Sequence, residues 1–461
     1  MGVGAFIEPL VVVTLLFGGT WVNRNTRYRI SDRRQRCSIS SGSSSPTSTN
    51  SGRSSPRSST SLLDDNRASS PSLLTPQEPK WRKREIRIFG FRKEVVSPNS
   101  RRFQGYFLSR LLKKYPFLVE AWYWALIYWV YQLGRAFTAL TLVEGTVNVA
   151  RQHALQVIHL EQRLHLFVEL PIQHWFLKHP LLMHWTNRIY SFIHIPGTIL
   201  FLVCLYYYTT TYRHHLSNPS LPLPNKPPSD PSPTLAGPAL YAARRRTMAV
   251  CNLLAFIVFT LWPCMPPRLL SDPDVEGPVG DEARSYGFVD TVHGAEGESS
   301  VWTQNRFCNQ YAAMPSLHFG YSLLIGLTVM TIPLAPQYRR SRTFSARFRS
   351  LSLRIRVLGL RRLLCLVLGV AYPLTILIAI IATANHFVLD AVAGAGVCGL
   401  AWCGNRVLLN LLPVEDWFLW VVRIHKPERR RVAFEQDGEE SDGWGDVAER
   451  VDVFPKVAGV H

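Results

Sequence analysis

The sequence predicts an all-α, multi-pass transmembrane bundle of about six core spans with an N-terminal anchor helix. Three observations carry this. The 461 residues are 47% hydrophobic with a formal charge of +19, and apolar residues lie in long runs with charges between them. Seven runs are long enough to cross a bilayer, near residues 4–22, 117–139, 189–210, 246–264, 315–334, 363–384 and 387–411. The basic residues gather in a few loops, as the sidedness of membrane proteins requires. A soluble chain this basic would suggest nucleic acid, but RNP-like, zinc-knuckle and helix-turn-helix signals are absent, so no nucleic-acid partner is expected.

The first run, within residues 1–22, is interrupted by Glu8 and lacks a basic start and a small-residue cleavage site, which favours a retained anchor over a signal peptide. Gly2 is not a myristoylation signal, because Phe6 stands where Ser or Thr is needed. Residues 23–115 are predicted as a disordered cytosolic segment, on the strength of "SISSGSSSPTSTNSGRSSPRSST" in 38–75, whose composition cannot offset chain entropy. Residues 116–412 form the predicted membrane domain, with a proline-rich linker at 217–234, and 413–461 a cytosolic tail. The eight cysteines show no zinc spacing; Cys264 and Cys308 bracket one polar loop and are candidates for a disulfide.

The loops set the orientation. Nine arginines and no acid lie between Arg339 and Arg362, whereas 265–314 sets eight acids against Arg268, Arg284 and Arg306. The positive-inside rule places the first loop in the cytosol and the second on the opposite, lumenal face. A multi-pass protein of the endomembrane system is expected.

Two histidines then meet the lumenal face at one depth. His318 follows "MPS" at the start of the fifth run, and His386 stands in "ATANHFVLD" where the sixth run ends. Asp390 lies one helical turn after His386, so a carboxylate there can take the imidazole Nδ1–H and leave Nε2 as a nucleophile. An intramembrane acid is costly without such a role. Pro315 is predicted at the first helical position, leaving the backbone N–H groups of Ser316, Leu317 and His318 to form an anion site. Together these describe phosphoryl transfer through a phosphohistidine, with no metal and no cofactor required.

"AAMPSLH…NHFVLD" resembles the type-2 phosphatidic acid phosphatase superfamily. Within it, the chain is similar to inositol phosphorylceramide synthases and related bacterial and fungal membrane proteins, which have Leu317 where lipid phosphatases usually have Gly. "WPCMPPRLL", "YGFVDTV" and "IHLEQRLHLFVELPIQHW" look like the same branch, and the resemblance covers roughly residues 115–412. It implies that His386 attacks phosphorus, that Asp390 supports it, and that His318 is the acid and then the base, with Asn385 supporting.

The superfamily's lysine followed by Arg-Pro is absent, and its arginine six residues before the second histidine is Ile380 here. Phosphate charge must be met elsewhere. Arg268 after Pro266-Pro267 is the first candidate, Arg135 and Arg151 the next. Ala150, Ala154, Val157, Ile158, Leu164 and Val168 form an apolar stripe that includes Glu161, whose expected partner is a site arginine or a structural cation. His153, His165, His174, His179, His184 and His194 are read as interfacial. The partner expected is a membrane lipid. Water as acceptor would make a lipid phosphate phosphatase, a lipid alcohol a phosphotransferase of phosphoinositol-type headgroups, and a non-catalytic scaffold is the third reading.

Overall fold

The computed structural model describes residues 4–30, 79–88, 90–141, 145–212, 237–291, 311–334, 342–348, 351–357 and 359–427. The Ser/Pro-rich 38–75, the linker at 217–234, the tail beyond residue 427, Cys308 and the side chain of Arg135 lie outside the described residues.

The first of two units holds residues 1–24 and 115–410. Its helices are α1 (Gly4–Val22), α3 (Phe117–Thr141), α4 (Gly145–Arg163), α5 (Glu169–Leu177), α6 (Pro180–Arg188), α7 (His194–Tyr206), α8 (Pro238–Leu261), α9 (Pro278–Ser285), α10 (Leu317–Thr331), α11 (Leu360–Ala382) and α12 (Val388–Gly404). A π-helical turn, Ile189–Ile193, joins α6 to α7. The apolar runs are therefore helical where expected. By length and apolarity, Pro180–Tyr212, Leu360–Ala382 and Val388–Val421 can cross a membrane, and Pro9–Val22 and Leu317–Thr331 are shorter apolar helices. The other two expected spans, α3 and α8, are helices that fall outside this set; α3 is rich in Tyr and Trp and carries Glu120, and α8 contains Arg244, Arg245 and Arg246.

A face of α11 identifies the solvent. Leu363, Val367, Leu368, Val370 and Leu374 are exposed, while Gly369, Pro373, Ile376 and Ile380 are buried. A continuous apolar face of this kind would be unstable in water and is at home in lipid. Backbones come very close on the buried side. A Cβ on Gly326 of α10 would lie 2.3 Å from the carbonyl oxygen of Gly369 on α11. Small residues at a helix crossing permit this approach, and dispersion contacts rather than water exclusion then hold the helices.

The core lies in two main layers within this unit. Phe117, Leu202, Tyr206, Tyr241, Leu324 and Trp402 pack where α3, α7, α8, α10 and α12 meet. Ala154, Ile158, Met265, Leu270, Phe288 and Phe387 pack α4 against the 264–288 segment and the start of α12. The predicted stripe on α4 holds for Ala150, Ala154, Val157 and Ile158, but Leu164 and Val168 are exposed because α4 ends at Arg163.

The second unit, residues 25–114 and 411–427, corrects the extent of the predicted disorder. Strands β1 (Trp81–Ile88) and β2 (Phe91–Pro98) pair antiparallel, α2 covers Phe107–Lys114, and α13 covers Leu412–Val421. Alternating side chains in "WRKREIRI" suit a two-faced strand. Arg84 donates to both carboxylate oxygens of the buried Asp416, at 2.8 and 3.0 Å. A second hairpin, β3 (Arg342–Phe348) with β4 (Leu351–Val357), occupies the arginine-rich loop of the first unit.

Candidate active site

The loop between α11 and α12 begins with a reversal. Ala384 takes a left-handed conformation (φ 50°), and the carbonyl of Ile380 accepts from the backbone N–H of both Asn385 and His386, at 3.0 and 3.2 Å. Opposite it, residues 311–313 are strapped to Cys264. Cys264 N–H donates to Tyr311 O (2.9 Å), and Ala313 N–H donates to Cys264 O (3.0 Å). Cys264 is fully buried, and Cys308, its candidate disulfide partner, lies outside the described residues.

These two segments bring the predicted histidines together. His386 Nε2 lies 3.4 Å from His318 Nδ1. His386 Nδ1 lies 2.8 Å from the carbonyl oxygen of Ala313. A carbonyl only accepts, so Nδ1 carries the proton and Nε2 of the neutral ring presents its lone pair. His318 Nδ1–H is then the donor between the rings.

Asp390 has a different first partner from the one expected. Its Oδ2 accepts the N–H of Phe387 at 2.9 Å and stands 3.5 Å from His386 Nδ1. The carboxylate thus acts on the imidazole as a close charge, while Ala313 fixes the tautomer. Asp390 is completely buried, and its Oδ1 has no hydrogen-bond partner among the described residues.

The helix start at α10 also differs from expectation. Ser316, not Pro315, is the N-cap, and its Oγ accepts from Phe319 N–H at 3.4 Å. Ser316 N–H donates to Asp390 O at 2.9 Å and so is not open to an anion. Leu317 is the first helical residue and packs in the core; His318 follows it.

Of the three arginines, Arg268 joins the site. Its N–H donates to Ala384 O (2.9 Å), Nε donates to Asn385 Oδ1 (2.9 Å), and Nη1 donates to Asp290 Oδ2 (2.8 Å). It therefore braces the residue next to His386, with Asn385 held in turn by Thr383 Oγ1 at 2.8 Å. Arg151 is buried on α4, ten residues before Glu161, a distance of about 15 Å at the helical rise. Its closest acid is Asp272 at 3.8 Å, and Nε and Nη1 lack hydrogen-bond partners among the described residues. No contact links it to the histidine pair among those residues.

Among the described residues no arginine bonds Glu161. Its Oε1 accepts Leu389 N–H at 2.8 Å, its Oε2 is buried without a hydrogen-bond partner among the described residues, and the Glu169 carboxyl is a close electrostatic neighbour. Burial first, and then the Glu169 charge, pushes the Glu161 carboxyl up to about 9.

Several residues at the site went unread in the sequence. His194, taken as interfacial, is buried with its ring centroid 5.0 Å from that of His318 and its Nδ1 3.3 Å from Tyr372 Oη. Tyr190 also packs against His318, with ring centroids 4.8 Å apart and the planes tilted by 32°. The π turn sets both rings, and such turns recur at functional sites. Asp290 is placed by amide clamps on its neighbours: Gln173 bonds both backbone groups of Val289, and Asn187 bonds Thr291. The signal was Gln173 in "VELPIQHW", a motif already set beside "YGFVDTV". Among the described residues no group of three His, Cys, Asp or Glu side chains could hold a metal ion.

No curated protein and no solved structure matches the chain significantly. The family described as the PAP2 superfamily does match, over residues 155–217, 234–341 and 353–404, which include His318, His386 and Asp390. Residues 155–404 therefore form a PAP2-superfamily domain, and the protein is an enzyme of that superfamily's phosphatase and phosphotransferase class.

Proposed function

We propose that the protein moves a phosphoinositol-type headgroup from one membrane lipid to the hydroxyl of another through a phosphohistidine on His386. The carrying observation is the polarised pair: Ala313 holds the proton on His386 Nδ1, and His386 Nε2 faces His318 Nδ1 at 3.4 Å. In the first step the Nε2 lone pair forms a bond to phosphorus, the P–O bond to the leaving alcohol breaks, and that oxygen takes the proton of His318. In the second, the acceptor hydroxyl gives its proton to His318, its oxygen bonds phosphorus, and the N–P bond breaks. Arg268 supplies cationic charge beside Asn385 for the phosphoryl oxygens.

Burial and sequence both favour an alcohol over water as acceptor. His386 is 6% exposed and Asp390 fully buried, a site that disfavours water as competitor. Leu317 and the quoted motifs resemble the inositol phosphorylceramide synthase branch. The 15 residues of α10 extend about 22 Å, less than the hydrocarbon core of about 30 Å, which suits a site reached from among lipid tails. The arginine-rich hairpin lies at the other end of α10 and α11, which supports a lumenal site in an endomembrane. The domain boundaries expected above, with catalysis confined to 116–412, belong to this reading.

Purified protein in detergent is offered labelled phosphatidic acid, then phosphatidylinositol with ceramide. A new inositol-containing sphingolipid supports transfer. Free phosphate alone replaces it with a phosphatase, and no turnover of either overturns the substrate assignment.

A further inference from the structure

Helix α12 carries Asp390 in its first turn and His386 just before it, so the angle of its N-terminus sets the nucleophile. The first N–H groups of a helix lack intrahelical partners. Here no Ser, Thr or Asn caps them. Phe387 N–H bonds Asp390 Oδ2 at 2.9 Å, Val388 N–H bonds Glu169 Oε1 at 2.8 Å, and Leu389 N–H bonds Glu161 Oε1 at 2.8 Å. Glu161 lies on α4 and Glu169 on α5, both fully buried. Two elements remote in sequence thus grip one helix end through Oε1 of each carboxyl, while Oε2 of Glu161 and Oε2 of Glu169 are both buried without a hydrogen-bond partner among the described residues.

We propose that Glu161 and Glu169 are positioning residues that share one proton and clamp the start of α12, fixing His386 for attack. A proton held between those two Oε2 atoms would give both of them a partner, since an ionised carboxylate can only accept and each carboxyl bears electrostatically on the other. The groups facing the pair make full ionisation costly: Asp390 on α12 bears on Glu161, Glu161 and Asp390 in turn raise the buried Cys264 thiol, and no basic side chain bonds either glutamate among the described residues. Three ionised carboxylates at one buried helix end would also repel an incoming phosphate. One shared proton keeps both backbone bonds while removing one of those charges. Burial raises both glutamates above their ordinary range, in keeping with this.

The inference rests on the phosphohistidine reading for its link to turnover, so its test has parts that do not use turnover. In the full-length protein in detergent, the infrared band of a protonated carboxyl is expected at about pH 7, absent in E161Q and lost in the wild type above about pH 9. Amide exchange at 386–392 is expected to quicken in E161A and to return near wild type in E161Q, because a glutamine keeps an acceptor for Leu389 N–H and a donor for Glu169. With phosphatidic acid, or phosphatidylinositol plus ceramide, E161A is expected to lose about 10–100-fold in kcat with KM little changed. E161Q is expected to recover most of that loss and to lack the wild type's alkaline decline. If E161A does not fold, the E161Q and E169Q pH profiles carry the test alone. No protonated-carboxyl band assignable to the pair, or unaltered exchange in E161A, overturns the clamp. A turnover-competent His386→Ala would instead remove the phosphohistidine and leave the infrared result standing.

Discussion

The Nδ1 of His386 lies 2.8 Å from the main-chain oxygen of Ala313, closer than the 3.5 Å to Asp390. A backbone group cannot be deleted by substitution, so the tautomer of His386 survives every side-chain change around it. His386→Ala should abolish covalent labelling by a labelled phospholipid. His318→Ala should still label while turnover falls about 10²–10⁴-fold, the usual worth of a general acid. Rapid-quench labelling of both variants separates the roles; labelling of His386→Ala would remove the assignment.

Asp390 has two tasks, and two substitutions divide them. Asn at this position can still accept Phe387 N–H but has no charge, so Asp390→Asn should cost roughly 1.5–3 kcal/mol in kcat/KM, about 10–150-fold, with little change in thermal stability. Asp390→Ala leaves a buried N–H unpaired and should lower Tm as well. Equal Tm losses in the two variants would deny the charge a separate role.

Arg268 is bonded through Nε and Nη1 to two different acceptors, a fork that lysine cannot reproduce. Arg268→Lys should therefore lower kcat about 10²–10³-fold. Asp290→Asn should cost less, and the double variant should be sub-additive because both changes disturb one network. A full double-mutant cycle on kcat checks this, and strict additivity would place the two residues in separate networks.

The sequence was informative where one residue type has one plausible use. Periodicity and long apolar runs gave the helices, and paired His-Asp spacing gave the candidate site, because an intramembrane acid near a histidine has few bland explanations. The tautomer-fixing group was invisible because Ala313 acts through its carbonyl. His194 was misread because a lone histidine near a span end does not reveal which ring it will stack on. Glu161 was noticed but assigned a cation, since single-residue reasoning pairs an acid with a base; only folding shows that Glu169 arrives first. The hairpin at 81–98 was submerged in a composition argument drawn from its Ser-rich neighbour.

Gly394 offers a purely steric check on the site's framework. A Cβ there would meet the carbonyl oxygen of Ser316 at 2.3 Å, at the point where α12 meets the start of α10. Gly394→Ala must push these segments apart, and overpacking of this kind costs about 1–3 kcal/mol. It should lower both Tm and turnover. Gly396→Ala, whose Cβ meets nothing within 4 Å, should change neither. If both glycines tolerate alanine equally in a thermal melt, the close approach is absent.

The glutamate pair also gives stability a pH signature. The carboxyl of Glu161 is held at about 9 by burial and then by Glu169, against 4.5 for the ordinary group. The folded state therefore keeps a proton that the unfolded chain releases, so this contribution is complete below about 4.5 and is lost as pH rises through about 9. Paired carboxylates elsewhere act in the opposite direction at low pH, so the informative quantity is a difference between proteins. The Tm of the wild type minus that of E161Q should fall steadily across that window and level off beyond it, because glutamine has nothing to titrate. Thermal melts of both proteins in one buffer series check this. A difference that stays flat, or that rises with pH, would mean that Glu161 is ionised in the folded state at neutral pH.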